Sequence, residues 1–174
     1  MPISRHLSKP PLIASCAFFF LFGGIAVVSR CRLSATINVA FKSGIGGEYQ
    51  SWFEHFLSGF ASPSLLFISL LPLWWVLTSE REGKREVRFF RRIRAWLLSL
   101  SEYRLYVLLL SICVFLYVVT SANWEFSQFL ERGMFQFDQF GCDVAGSLIW
   151  FLLLKLLCPN PALQGTLRLS VARP

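Results

Sequence analysis

Four apolar runs alternate with polar stretches along this chain. Leu12 to Val28 carries no charged side chain and is rich in phenylalanine (Phe18, Phe19, Phe20 and Phe22). Ser64 to Thr78 is the second run and needs residues from about Phe60, or earlier, to reach spanning length. Tyr103 to Ala122 is the third, and Val144 to Leu157 the fourth, short unless it begins near Phe140. A helix that crosses the hydrocarbon layer needs about 17–25 predominantly apolar residues. Each run therefore predicts a spanning helix, with Pro63 and Pro72 as points of bending in the second. The fold class that follows is all-α, a polytopic membrane protein built as a four-transmembrane-helix bundle. Gly23, Gly24, Ala26, Ala145 and Gly146 are the small residues expected to let its helices approach. Residues 1–158 form the single membrane domain, and the pattern-free stretch 159–174 is expected to be a disordered tail.

The stretches between the runs carry their own patterns. Gly44, Gly46 and Gly47 break any helix after the first span. From Glu48 the pattern turns helical, with Tyr49, Trp52, Phe53, Phe56 and Phe60 on one face. Glu48, Ser51, His55 and Ser58 lie on the other. An aromatic stripe beside a membrane run usually marks the lipid–water interface, so His55 is either a half-exposed interfacial side chain or a site residue. Between Glu80 and Arg104, Phe89, Phe90, Ile93, Trp96, Leu97 and Leu100 recur at helical spacing among arginines. That reads as a basic amphipathic helix between spans 2 and 3, lying on anionic lipid through Arg88, Arg91, Arg92, Arg94 and Trp96. The plainer alternative is a loop whose charge only fixes orientation.

Composition and charge sharpen this picture. Hydrophobic residues make up 55% of the chain and charged ones 16%, against about 25% charged in typical globular domains. Mean hydropathy is +0.54. The net charge is +7, and eight of the 17 Lys and Arg sit in one loop between apolar runs, where membrane topology calls for them, so nucleic acid is not an expected partner. The N-terminus, the middle loop and the C-terminal end together hold 13 of the 17 Lys and Arg. The positive-inside rule then puts both termini and the basic helix in the cytoplasm. A cleaved signal peptide is the competing reading of the first run, but no A-x-A-like site follows it, which favours an uncleaved anchor. The five cysteines show no C-x-x-C spacing for zinc or redox work. Cys31 and Cys142 would meet on the outer side if they paired.

The chemistry concentrates between Asn123 and Gly146, which holds Glu125, Glu131, Asp138 and Asp143, four of the chain's ten acids. Carboxyl groups beside a membrane span are costly unless they face water, a polar cavity or a partner. Helical spacing puts Ser121, Glu125, Gln128 and Arg132 on one face, and Asp143, Gly146, Ser147 and Trp150 on another. Gly133 allows a turn between them. The expected roles are a Glu125–Arg132 charge pair holding the hairpin, Gln128 as its hydrogen-bonded neighbour, and Asp138 and Asp143 as outward-facing acidic contacts. Topology brings His55 to the same leaflet. No H-E-x-x-H, G-x-S-x-G or paired Cys/His set is present, and no metal or cofactor is expected.

Glu125-x-x-Gln128, then Arg132, Asp138, and Asp143 three residues before Gly146, resembles the signature of the VanZ-like membrane proteins. Asp143 stands where Asn is common in that family. His55-Phe56 resembles the His-Phe pair that opens the family's second span. The resemblance implies a protein of the bacterial plasma membrane and cell envelope, linked to glycopeptide (teicoplanin) resistance. It implies a binding or structural role through an outward-facing polar hairpin, with a cell-wall precursor or glycopeptide as ligand and homo-oligomerisation open. The alternatives are an intramembrane enzyme acting on a lipid-linked envelope substrate, a small transporter, or another multispan family.

Overall fold

A computed structural model of the chain describes residues 9–30, 39, 43–44, 49–78 and 88–158. The chain forms α1 (Lys9–Phe18), a π-helical turn (Phe19–Gly23), α2 (Gly24–Arg30), α3 (Gln50–Thr78), α4 (Arg88–Ser99), α5 (Glu102–Arg132) and α6 (Phe137–Leu157). There is no strand among the described residues. Four segments are long and apolar enough to cross a membrane: Lys9–Val28, Gln50–Pro72, Glu102–Arg132 and Phe137–Leu157. The protein is an all-α, multi-pass membrane protein. The tail 159–174, Cys31 and residues 80–87 of the basic loop lie outside the described residues.

The second span begins earlier than hydropathy predicts. α3 starts at Gln50 and runs unbroken through Pro63 and Pro72, so Glu54 and His55 belong to the bundle. The aromatic stripe divides accordingly. Tyr49 and Trp52 stay exposed, whereas Phe60 is buried and Phe56 packs against the core. Phe18 and Phe22 of the first span meet the Phe60 ring at centroid distances of 5.8 and 4.8 Å.

α3 is the central element and packs most extensively on α6. The reason is a glycine crossing. A Cβ at Gly59 would lie 2.6 Å from the Asp143 carbonyl oxygen and 2.9 Å from the Gly146 Cα. A Cβ at Gly146 would run into the Phe56 carbonyl oxygen. Small residues let membrane helices approach backbone to backbone, and here that role falls to Gly59 and Gly146. Of the other small residues, Gly23 faces Ala61, Gly24 meets nothing and Ala145 is exposed. Below the crossing, Trp150 donates its indole N–H to Ser64 Oγ at 2.7 Å, and Ser64 donates to the Phe60 carbonyl at 2.8 Å. Phe67, Tyr106, Leu110, Cys113 and Leu154 complete the apolar core around them.

α5 is capped by Ser101, whose hydroxyl accepts from the Arg104 N–H. It ends at Gly133, the one described residue with positive φ, at 73°. Its 31 residues at ~1.5 Å each exceed the ~30 Å hydrocarbon thickness. α5 therefore carries polar side chains past the membrane core at one end. α4 is short and amphipathic. Leu97 and Leu100 rest on the core, while Phe89, Arg91, Arg92 and Trp96 are exposed. The side chains of Arg88 and Arg94 lie outside the described residues.

Candidate functional site

Three helices converge on one carboxyl group. Asp143 is only 4% exposed. Tyr117 donates its hydroxyl to Oδ1 at 2.6 Å, and Ser121 donates its hydroxyl to Oδ2 at 2.6 Å. His55 Nδ1 lies 3.0 Å from the same Oδ2. A carboxylate there accepts from all three, with the imidazole proton on Nδ1. Tyr117 and Ser121 are one turn apart on α5, so both reach the same acid. His55 and Asp143 are 88 residues apart in sequence. The Gly59–Gly146 crossing joins them, since His55 sits one turn before Gly59 and Asp143 one turn before Gly146.

Glu125 is the next position on the face that carries Tyr117 and Ser121. It is fully buried, at 0% exposure. Neither of its carboxyl oxygens has a hydrogen-bond partner. Glu54 is also buried, and Gln50 donates to it at 3.1 Å.

The expected charge pair between Glu125 and Arg132 does not form. Arg132 is exposed and its guanidinium donates to Gln128 Oε1 at 3.4 Å. Seven residues of helix separate Arg132 from Glu125, a rise of roughly 10 Å. Arg132 lies in the last turn of α5, where a cation favours the helix C-terminus. Asp143 is likewise not an outward-facing contact. Asp138 and Asp143 are five residues apart, about 140° around a helix, so they cannot share a face. Asp138 is exposed in the first turn of α6 and Asp143 points inward. Gln128 is half-buried. Of the six expected site residues, His55 and Asp143 touch and Glu125 lies one turn beyond Ser121. Gln128 and Arg132 bond each other on the rim, and Asp138 stands apart. Cys142 is a free thiol.

No family model, curated protein or solved structure matches the chain.

Among the described residues no three His, Cys, Asp or Glu side chains converge as metal ligands. An Asp–His pair can orient an imidazole for proton transfer to a nucleophile. Here the two nearby hydroxyls, Tyr117 and Ser121, commit their protons to Asp143. Neither is placed to receive the imidazole as a base.

Tyr117, Glu54 and Gly59 are missing from the sequence-based candidates. Tyr117 was within reach, because it lies four residues before Ser121 and eight before Glu125 on one helical face.

Proposed function

We propose that this chain is a VanZ-like protein of the bacterial plasma membrane, with both termini cytoplasmic, and that it serves the cell envelope by binding through the hairpin end of its bundle. The role is non-catalytic, with a link to glycopeptide (teicoplanin) resistance. One observation carries the reading: His55 hydrogen-bonds Asp143, two residues drawn from separate parts of the resemblance. Glu125, one turn beyond Ser121, is buried as well, so three of the motif residues, His55, Glu125 and Asp143, lie inside the bundle. The charge distribution supports an outward-facing hairpin. Exposed Arg91, Arg92 and Trp96 on α4 suit an anionic cytoplasmic leaflet.

The test is expression in a teicoplanin-susceptible host. Wild type should lower susceptibility, while His55→Ala and Asp143→Asn, at equal membrane levels, should not. An unchanged susceptibility with wild type ends the resistance link. Reporter fusions after Gly133 that are active only in the cytoplasm end the topology. The Asp143–His55 pair keeps a second reading in view, an intramembrane hydrolase using His55 as base. That reading requires turnover of a lipid-linked substrate with a bell-shaped pH profile.

A further inference from the structure

Of the Asp, Glu, His, Lys and Arg side chains among the described residues, those buried are Glu54, Glu125, Asp143 and His55. The bundle thus buries three carboxyl groups and one imidazole, and no lysine or arginine is buried among the described residues. Two of the three are provided for. Asp143 accepts from three side chains, and Glu54 accepts from Gln50. Glu125 alone is fully buried with both oxygens unpartnered. Buried polar groups in native proteins nearly always have partners, so an exception asks for a reason. Arg132, two turns further along the same helix, is exposed and bonded to Gln128.

The direction of Glu125 is set by its helix. Tyr117, Ser121 and Glu125 repeat every fourth residue on α5 and are all buried against the bundle. Its depth is set by α5 as well. Glu125 lies 23 residues from the start of α5, a rise of roughly 35 Å against a hydrocarbon layer of ~30 Å. With the start of α5 at one interface, Glu125 stands at headgroup level at the other. Exposed Trp124 beside it is a residue suited to that level.

We propose that Glu125 is the anchor for a protonated primary amine, carried by an aminophospholipid headgroup or by a small soluble amine. This deepens the binding role proposed above and rests on it. A compact ammonium needs one carboxylate and a neighbouring acceptor, and the Ser121 hydroxyl oxygen one turn away retains lone pairs for that purpose. A metal ion would need several converging ligands, which the described residues do not supply. The carboxyl is shielded in this structure, so uptake requires the side chains around it to part. The resulting ion pair is desolvated and therefore sensitive to the loss of either partner.

The experiment is thermal unfolding of the full chain in nanodiscs. Ethanolamine is titrated into phosphatidylcholine discs for the soluble source. Discs containing phosphatidylethanolamine are compared with phosphatidylcholine discs for the lipid source. Choline chloride at equal ionic strength is the control. In at least one source arm, wild type should gain roughly 2–4 °C in Tm, the shift that a modest binding free energy gives a chain of this length. Choline should give none. The shift should vanish in Glu125→Gln, survive in Arg132→Ala, and persist in reduced form in Glu125→Asp. No amine-specific shift in either arm, or a shift that survives Glu125→Gln, overturns the proposal. The susceptibility assay reads the binding role separately: a negative amine result beside a positive susceptibility result rejects the ammonium and keeps the role.

Discussion

Tyr117→Phe removes one donor from a carboxyl group that has three and leaves the ring in place. The hydroxyl lies 2.6 Å from Asp143 Oδ1, and both residues are buried. A hydrogen bond to a charged group contributes about 1.5–3 kcal/mol. Hydrogen bonds between membrane helices average ~0.6 kcal/mol, because a chain unfolded in the membrane finds other partners. The short distance and the burial argue for more than the membrane average, so we expect a cost in the middle of that combined range, about 1–2 kcal/mol. Asp143→Ala is harsher. It removes the Asp143 bond from the Tyr117 and Ser121 hydroxyls and from His55 Nδ1, each at about 1–3 kcal/mol, for a total of about 3–9 kcal/mol. The decisive comparison is the double variant. Once Asp143 is alanine, the Tyr117 hydroxyl has already lost that bond, and its removal should cost little. The coupling between the two positions should then be about 1–3 kcal/mol. Reversible unfolding in mixed micelles of rising dodecyl sulfate fraction, followed by tryptophan fluorescence, measures all four corners of the cycle. Additivity within ~0.5 kcal/mol would show that the three-helix network does not hold the bundle together.

Gly146→Ala should lower stability by about 1–3 kcal/mol, because the new Cβ meets the Phe56 carbonyl and forces α3 and α6 apart; Ala145→Gly, one residue away on an exposed face, serves as the control in the same unfolding assay. Gly133→Ala should cost about 1–2 kcal/mol through its positive φ alone, since nothing crowds that position. Arg132→Ala should change stability by less than about 0.5 kcal/mol, and a larger loss would revive the charge pair that the structure lacks. Burial, and then the negative charge of Glu102, push the Cys158 thiol up to about 11. A raised thiol pKa leaves little thiolate near pH 8, so alkylation of the folded protein should run roughly a hundredfold slower than for a free cysteine. The rate should climb as pH approaches 11, as mass spectrometry of the labelled chain would record.

The four spans are legible in the sequence because three of them are nearly free of charge over a membrane's thickness. The start of the second is not. Glu54 and His55 interrupt the apolar run, and hydropathy cannot tell a buried, hydrogen-bonded polar residue from a solvated one. The convergence of His55 with the hairpin is legible from topology alone, since charge counting puts both at one membrane face. The partners within the hairpin are less so. Helical periodicity placed Asp143 with Gly146, Ser147 and Trp150, and all four are buried. The acid was nonetheless expected to face outward, by its chemistry instead of its phase. The Glu125–Arg132 pair follows the opposite error: the phase is right, but two turns of rise separate the charges. Tyr117 escaped notice because within an apolar run its ring reads as hydrophobic surface, and its hydroxyl matters only once Asp143 is known to lie opposite.

The packing of this bundle and its polar chemistry are one contact. The atom that a Cβ at Gly59 would approach most closely is the carbonyl oxygen of Asp143 itself. The glycine pair lets α3 and α6 cross at a distance where the His55 imidazole can reach the Asp143 carboxyl; a wider crossing would put both in apolar surroundings without partners. α5 then closes the third side by offering two hydroxyls at one-turn spacing. Each helix supplies a group that is costly in the membrane unless the other two are in place. Apolar surface alone does not favour one arrangement of membrane helices over another, because lipid tails are as apolar as the side chains they would replace. A single acid with donors from two neighbouring helices does specify an arrangement, since only one rotation and depth of each helix satisfies it. The unpartnered Glu125, one turn further along the same face, lies where that fixed geometry meets the membrane surface, and so where a rigid bundle can hold a mobile ligand.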